Sequence, residues 1–288
     1  MAGLRPNNVP KTEKDNQIMG SYPADCHLHT YLCRHATGTP VEYAAEAARK
    51  GLSEIGFTDH SPMPQDDFDD WRMRLDQLSL YVDMVREAQA RFPQLVIRLG
   101  LEVDYLPDGE AWIRELSNLY PWDYLIGSAH YIAEGWDVDN PAKKAHWHGR
   151  DRWEIWETYF DRFTQAAATG LFDVMGHPDL PKKFGYWPEQ DCTPLYEKFL
   201  KEAQRQNVAI DLNTAGLRKE CREIYPSAAF LSLACKFNVP IIFGSDAHHP
   251  TEVGYGFSEA IALARNAGYT KYCRFSLRQR ETISLPMT

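Results

Sequence analysis

The sequence predicts an α/β protein whose parallel strands form a closed or nearly closed barrel. Short apolar runs alternate along the chain with longer amphipathic stretches, which is the order that a parallel sheet requires. No glycine-rich phosphate-binding loop follows the first run, and this favours a barrel over a doubly wound sheet. The 288 residues, 44% of them hydrophobic and 25% charged, suffice for one barrel of this kind.

Seven apolar runs are the predicted strands, and they lie at residues 24–27, 54–58, 96–103, 124–128, 172–176, 208–212 and 240–244. The stretches between them include predicted helices at residues 40–50, 72–92, 153–169, 194–206 and 226–237. In the second stretch Leu75, Leu78, Val82 and Val85 recur at helical spacing. Three of the stretches have a proline near their start, where a missing N–H costs nothing because it would have no partner within the helix.

The chain is predicted to form one domain from residue 21 to residue 288 behind a flexible tail of residues 1–20. No segment rich in proline, glycine or serine divides it. The connection from residue 131 to residue 150 is long and polar and carries Trp136 and Trp147. Connections of this length are often functional, so the segment is either a lid that closes over bound substrate or a surface excursion.

Charge and composition exclude several classes of partner. The formal net charge is −9 and the longest lysine and arginine clusters are pairs, so we expect no nucleic acid partner. The six cysteines form no Cys-x-x-Cys pair and are predicted to be free thiols. No run approaches the roughly 18 apolar residues of a membrane span, and the first twenty residues lack the apolar stretch of a signal peptide. We therefore expect a cytoplasmic protein with no membrane partner, and the oligomeric state stays open.

Histidines and carboxylates collect at the predicted C-terminal ends of the strands, where parallel barrels place their active sites. These residues are His27, His29, His35, His60, Glu102, His130, His177, Asp246 and His248. Each motif alone is weak evidence, and a second His-x-His pair, His146 and His148, lies off any strand and is predicted to be a solvated loop. The joint placement indicates a site, because residues i and i+2 of a strand face the same side and unpartnered buried imidazoles are costly.

Nine nitrogen and oxygen donors exceed what one tetrahedral ion can use, so the rim is predicted to hold two to three divalent transition metals. Imidazole and carboxylate donors without a thiolate suit zinc, iron or manganese better than calcium. Cys26 adjoins His27 but is predicted to point to the opposite face of its strand as a small buried residue.

Together these motifs resemble the signature of the polymerase and histidinol phosphatase (PHP) superfamily, and the resemblance extends from residue 25 to about residue 250. It implies a distorted seven-stranded (β/α) barrel with a site for up to three metals. The ligands that it implies are His27, His29, Glu102 and Asp246 for the first metal, Glu102 as a bridge with His130 and His177 for the second, and His35, His60 and His248 for the third.

The stretches 57–62, 176–180, 213–218 and 224–227 resemble the stand-alone histidinol phosphatases within that superfamily. This resemblance implies hydrolysis of L-histidinol phosphate, a small phosphate monoester, to L-histidinol and phosphate in histidine biosynthesis. Two alternatives stay open. One is a PHP-type phosphatase or phosphodiesterase that acts on another small phosphorylated substrate, and the other is a barrel that binds metal or a partner without catalysis.

The proposed reaction is in-line attack on phosphorus by a hydroxide held between metals that Glu102 bridges. Catalytic candidates are Glu102, Asp246 and Arg218. Arg218 follows the sixth strand, whose end offers no metal ligand, and its guanidinium suits two phosphate oxygens. The alternative is that Arg218 caps a helix or pairs with a surface carboxylate, Glu220 or Glu223. Lys183 is a second candidate for phosphate binding.

The acid that protonates the leaving group is not identified. Asp59 and His249 adjoin ligand candidates, and each is either this acid or a hydrogen-bond partner of a ligand.

Overall fold

The computed structural model describes residues 22–66 and 68–286, and within them the chain forms eleven strands. In chain order they are β1 (Asp25–Leu28), β2 (Glu54–Phe57), β3 (Val96–Asp104), β4 (Tyr124–Ser128), β5 (Tyr131–Ala133), β6 (Trp136–Asp137), β7 (Val174–Met175), β8 (Ala209–Asn213), β9 (Ile241–Gly244), β10 (Lys271–Ser276) and β11 (Gln279–Ser284). One sheet has the order β1-β2-β3-β4-β7-β8-β9, and every neighbouring pair in it is parallel. The seven predicted strands are therefore confirmed.

The sheet nearly closes into a barrel where its two edge strands meet. Ala247, three residues beyond β9, accepts a hydrogen bond from the His29 N–H at 3.0 Å. The N–H of Ala247 in turn donates to the carbonyl of His27 at 3.4 Å. The predicted distorted (β/α)₇ barrel is confirmed, and its seam lies between two of the predicted ligand motifs.

Seven helices of the described chain surround the sheet: α1 (Pro40–Arg49), α2 (Leu78–Arg91), α3 (Glu110–Leu119), α4 (Arg152–Ala168), α5 (Thr193–Gln206), α6 (Ala228–Lys236) and α7 (Phe257–Asn266). Helix α1 begins with a capping box, since Thr39 and Glu42 satisfy each other's main-chain N–H groups. The prediction that the second helix starts at residue 72 is wrong, because the Arg72 guanidinium is buried between Asp69 and Asp104 at 2.7 and 2.9 Å.

The segment from residue 131 to residue 150 has secondary structure of its own. Strands β5 and β6 form a hairpin, and a 3₁₀ helix spans Pro141–Trp147. Trp136 and Trp147 are each 5% exposed and join the apolar core, so their ring faces pack within the protein. His146 and His148 are exposed, as predicted.

The β10–β11 hairpin covers the N-terminal end of the barrel. The N–H of Leu277 donates to Asp123 just before β4, and the Arg274 guanidinium pairs with Glu54 at the start of β2. The C-terminal end, where the predicted ligands lie, is left accessible. The apolar side chains of the described residues form one continuous core, which supports our proposal of a single domain, and the predicted tail of residues 1–20 lies outside the described residues.

Candidate metal centre

All nine predicted ligand residues gather at the C-terminal end of the barrel. Their nitrogen and oxygen atoms form four overlapping groups in which the donor atoms lie within 4.8 Å of one another. The groups are His27, His29 and Asp246; His29, His60 and Glu102; Glu102, His130 and His177; and His35, His60 and His248. Because the groups share His29, His60 and Glu102, they form one continuous cluster.

Glu102, near the end of β3, lies at the middle of this cluster and is 1% exposed. Its Oε1 is 2.8 Å from His177 Nε2, and its Oε2 is 2.9 Å from His60 Nδ1 and 3.3 Å from His27 Nε2. The hydroxyl of Ser128 donates to Oε1 at 2.6 Å. The two carboxylate oxygens thus face different sets of imidazoles.

An observation that does not depend on the family pattern also indicates that these donors fit transition metals. The buried ring nitrogens His27 Nε2, His29 Nε2 and His60 Nδ1 lie 2.9–3.3 Å from carboxylate oxygens of Glu102 or Asp246, but none of them forms an aligned hydrogen bond with a described residue. Buried polar atoms are nearly always satisfied, since an unpartnered one costs about 1–3 kcal/mol. Divalent transition metals would satisfy several of these atoms together, and imidazole with carboxylate suits zinc, iron or manganese.

Partners on the far side of the rings orient several of these histidines. His27 Nδ1 is 2.7 Å from Asp211 of β8, and His130 Nδ1 is 2.8 Å from Asp104 at the end of β3. A second ring nitrogen held in this way fixes the tautomer and leaves Nε2 as a donor to a metal. Glycine is required at position 244, because a Cβ there would lie 2.5 Å from an Asp211 oxygen and 2.6 Å from the His27 Cβ.

Two more rings, those of His35 and His248, are oriented by main-chain carbonyls. His35 Nδ1 donates to Cys33 at 2.8 Å, and His248 Nδ1 donates to Asp246 at 3.0 Å. The two Nε2 atoms are consequently turned toward each other and lie 2.9 Å apart. Two acceptor nitrogens at this separation suit a shared cation.

The carboxylates of the cluster attract positive charge. Burial lowers the pKa of His27, but Asp246 and Glu102 outweigh this effect and raise the pKa to about 10. Burial raises the pKa of Glu102, but His60 and His27 outweigh it and hold that pKa well below its usual range. Ionised carboxylates in a buried site therefore favour a cation among the rings.

Backbone strain accompanies two of the ligand candidates. His177 and Asp246 have φ of 28° and 50°, which is the left-handed region that residues other than glycine rarely adopt. Such a conformation costs about 1–3 kcal/mol and is concentrated at functional sites, where the surrounding structure enforces it. Each residue lies two positions beyond the end of a short strand, β7 or β9, and its side chain belongs to the cluster.

A cavity of about 200 Å³ opens beside the cluster. Its lining residues outside the cluster are Asp139, Leu180, Lys183, Ala215, Lys219 and Tyr225. The sequence predicts Lys183 as a contact of the substrate phosphate, but it does not single out Asp139 or Lys219. Lys183 and Asp139 form an ion pair at 2.8 Å, and this pair holds the pKa of Asp139 well below its usual range although burial acts to raise it.

Arg218 is not among the residues that line this cavity. Its Nη2 donates to the carbonyls of Ser245 and Asp246 at 2.8 and 3.0 Å, and its Nε pairs with Glu252 at 3.2 Å. The guanidinium therefore braces the backbone of a ligand candidate. Its direct contact with phosphate stays a prediction, and the ion pair that it forms is with neither Glu220 nor Glu223.

The two candidates for the leaving-group acid have other contacts. Asp59 is fully buried and accepts from the main-chain N–H groups of Thr30 and His60 at 3.1 and 2.9 Å. His249 is exposed and caps a short 3₁₀ helix by accepting from the N–H of Thr251. Neither lines the cavity, so the interpretation of Asp59 as a hydrogen-bond partner is favoured.

Fold and site together define a class, that of parallel α/β barrels whose strand ends carry a cluster of histidines and carboxylates. The chain belongs to the PHP domain family, whose model matches residues 25–215. A second model, described as PHP-associated, matches residues 230–265. Together these two ranges contain every barrel strand of the sheet and all nine clustered residues.

Two relatives have names that state an activity. The "Probable histidinol-phosphatase" of Deinococcus radiodurans is 44% identical over 246 residues, which is 85% of this chain and 93% of that protein. The "Histidinol-phosphatase" of Bacillus subtilis is 30% identical over 257 residues, which is 81% of this chain and 96% of that protein.

The fold is shared with a solved structure from Lactococcus lactis, a histidinol phosphate phosphatase complexed with zinc, L-histidinol and phosphate. It matches with a TM-score of 0.73 at 19% identity and covers 90% of this chain and 99% of that one. Separately, within residues 22–66 and 68–286, no helix has both the length and the apolar character needed to cross a bilayer.

Proposed function

We propose that this chain is a metal-dependent phosphomonoesterase that hydrolyses L-histidinol phosphate to L-histidinol and phosphate, a step of histidine biosynthesis, and that it acts in the cytosol. The observation that carries the proposal is the 44% identity, over 85% of this chain and 93% of the other protein, to a relative named for this activity. The cluster of nine donors beside a cavity of substrate size supports it independently.

The proposed ligands of one metal are His27, His29, Glu102 and Asp246. Glu102 would bridge to a second metal, whose other ligands are His130 and His177. A third would take His35, His60 and His248. Two or three ions of zinc, iron or manganese at these positions would supply a nucleophile from water at neutral pH and would stabilise negative charge on the phosphoryl group.

The remaining residues of the site would orient the metal ligands and bind the substrate. Asp211 and Asp104 keep the Nε2 atoms of His27 and His130 directed at the cluster. Of the two predicted phosphate contacts, Lys183 lines the cavity and Arg218 does not. Leu180 and Ala215 add apolar surface on which the organic part of the substrate can pack.

A panel of substrates tests this proposal. The metal-loaded protein is assayed on histidinol phosphate, on other small phosphate monoesters, on an aryl phosphate and on a phosphodiester. We expect histidinol phosphate to give the highest kcat/KM. A higher value for another monoester or for the diester would replace the proposed substrate, and no turnover of any of them would favour a barrel that binds without catalysis.

A further inference from the structure

Lys219 differs from the other basic residues near the cavity in its lack of a partner. The Lys183 ammonium is neutralised by Asp139, and the Arg218 guanidinium is held by Glu252 and two carbonyls. The Lys219 ammonium has no hydrogen-bond or ion-pair partner within the part of the chain that the structure describes. A half-buried ammonium without a partner is costly, so its presence beside a cavity requires an explanation.

The backbone around Lys219 is fixed on both sides. Lys219 follows the 3₁₀ helix Thr214–Arg218, and its N–H donates to the carbonyl of Gly216 at 3.0 Å. Its own carbonyl accepts from the N–H of Arg222 at 3.2 Å. The side chain thus starts from a rigid turn and lines the same cavity as several metal-ligand candidates. A rigid origin lowers the entropy that is lost when the ammonium binds an anion.

The charges of this wall favour an anion. Among the lining residues other than the metal-ligand candidates, Asp139 and Lys183 cancel each other, so Lys219 contributes a net charge of about +1. Burial and the charge of Lys183 lower the pKa of Lys219, and Asp246 and Asp139 offset this effect only in part, so the ammonium form is incompletely compensated. A phosphoryl group would supply the missing negative charge through charge-assisted hydrogen bonds.

We propose that Lys219 is a residue of the cavity that binds the phosphoryl oxygens of the substrate and of the product phosphate. This inference rests on the proposed function for the presence of a phosphate ester, but it holds for any phosphomonoester that enters the cavity. The ion pair of Lys183 with Asp139 then serves as a neutral wall beside it.

The test compares Lys219→Met and Lys219→Arg in the metal-loaded enzyme. Inorganic phosphate is titrated by calorimetry, and its inhibition constant is measured against an aryl phosphate. We expect Lys219→Met to weaken phosphate binding at least tenfold and to raise KM for both histidinol phosphate and the aryl phosphate. Lys219→Arg should recover most of the affinity, since it keeps the charge.

Lys144→Met is the matched control. Lys144 lies near the same rim but pairs with Glu220 at 2.8 Å and does not line the cavity, so its loss should leave phosphate affinity unchanged. Phosphate affinity of Lys219→Met within twofold of wild type would overturn the proposal. So would an equal loss in Lys144→Met. A wild-type enzyme that hydrolyses the aryl phosphate but not histidinol phosphate would contradict the proposed substrate alone, because the phosphate titration would still measure the role of Lys219.

Discussion

Among single residues, Glu102 is the one at which the ligand groups meet. Replacing it with glutamine should lower turnover by a factor of about 100 or more, because an amide oxygen is a neutral and weaker donor than the carboxylate that we propose bridges two cations. The fold should be retained, since the two side chains have the same shape. Steady-state kinetics, elemental analysis and circular dichroism together check this.

Glu54→Gln is the control for that variant. Glu54 is also buried, but it pairs with Arg98 and Arg274 at the opposite end of the barrel. Its replacement should lower stability and leave the metal content unchanged. Near-normal turnover in Glu102→Gln would mean that Glu102 bridges no metals.

A second prediction concerns Arg218. It distinguishes support of the Ser245–Asp246 backbone from direct contact with phosphate. Lysine cannot reach Glu252 and both carbonyls at once, so Arg218→Lys should loosen the Ser245–Asp246 backbone and weaken metal retention. A loss of about 1–2 kcal/mol in unfolding free energy is expected from the missing hydrogen bonds. Metal analysis after dialysis and denaturant unfolding measure both effects. A tenfold fall in kcat/KM with unchanged metal content and melting temperature would instead indicate the direct phosphate contact.

At the scale of elements, the β5–β6 hairpin with its 3₁₀ helix is part of the core as well as part of the cavity. Trp147 packs 5.0 Å from the Tyr186 ring, and its Nε1 donates to the carbonyl of Val138. The adjoining residue Asp139 forms part of the cavity wall. This element therefore positions a cavity residue by burying its tryptophans.

Trp147→Ala should consequently destabilise the protein by about 3–5 kcal/mol, as expected for the loss of a buried aromatic side chain. Urea unfolding monitored by circular dichroism gives the value. Leu80→Ala is the comparison, because Leu80 is 45% exposed and its truncation should change stability by less than about 0.5 kcal/mol. A loss below about 1 kcal/mol in Trp147→Ala would show that the segment is a loosely attached excursion.

For the whole molecule, the proposed metals should stabilise the fold as well as activate water. Each site filled at 100 times its Kd adds about 2.7 kcal/mol to the unfolding free energy. A chelator should therefore lower Tm by at least about 5 °C and abolish activity, and added zinc or manganese should restore both. Calorimetry and assays before and after chelation test this. Unimpaired turnover and an unchanged Tm in chelator would exclude a metal-dependent mechanism.

The parts that could be predicted from the sequence are those in which a motif follows an apolar run directly. The pairs His27 with His29 and Asp246 with His248 are of this kind, and so are the seven strands. Local periodicity and the alternation of strand side chains were sufficient there.

The partners of those motifs could not be predicted, because they depend on how distant strands align. Asp211 meets His27 across 184 positions of sequence, and only the curvature of the sheet decides that contact. The position of Asp211 inside an apolar strand nevertheless indicates a functional or structural contact, since a buried carboxylate requires a partner. Lys219 and Asp139 gave no such signal, because they stand in segments that are polar in sequence.

The seam at Ala247 determines how late in synthesis the barrel can close. The carbonyl and N–H of this residue join the last strand to the first, between ligand candidates that are about 220 positions apart. A nascent chain that has emerged only as far as strand β8 already exposes His27 and His29, but it lacks Asp246 and His248. The barrel and its first and third proposed metal sites can therefore be completed only after residues 246–248 have left the ribosome, and until then the open edges of β1 and β8 are surfaces for chaperones to protect.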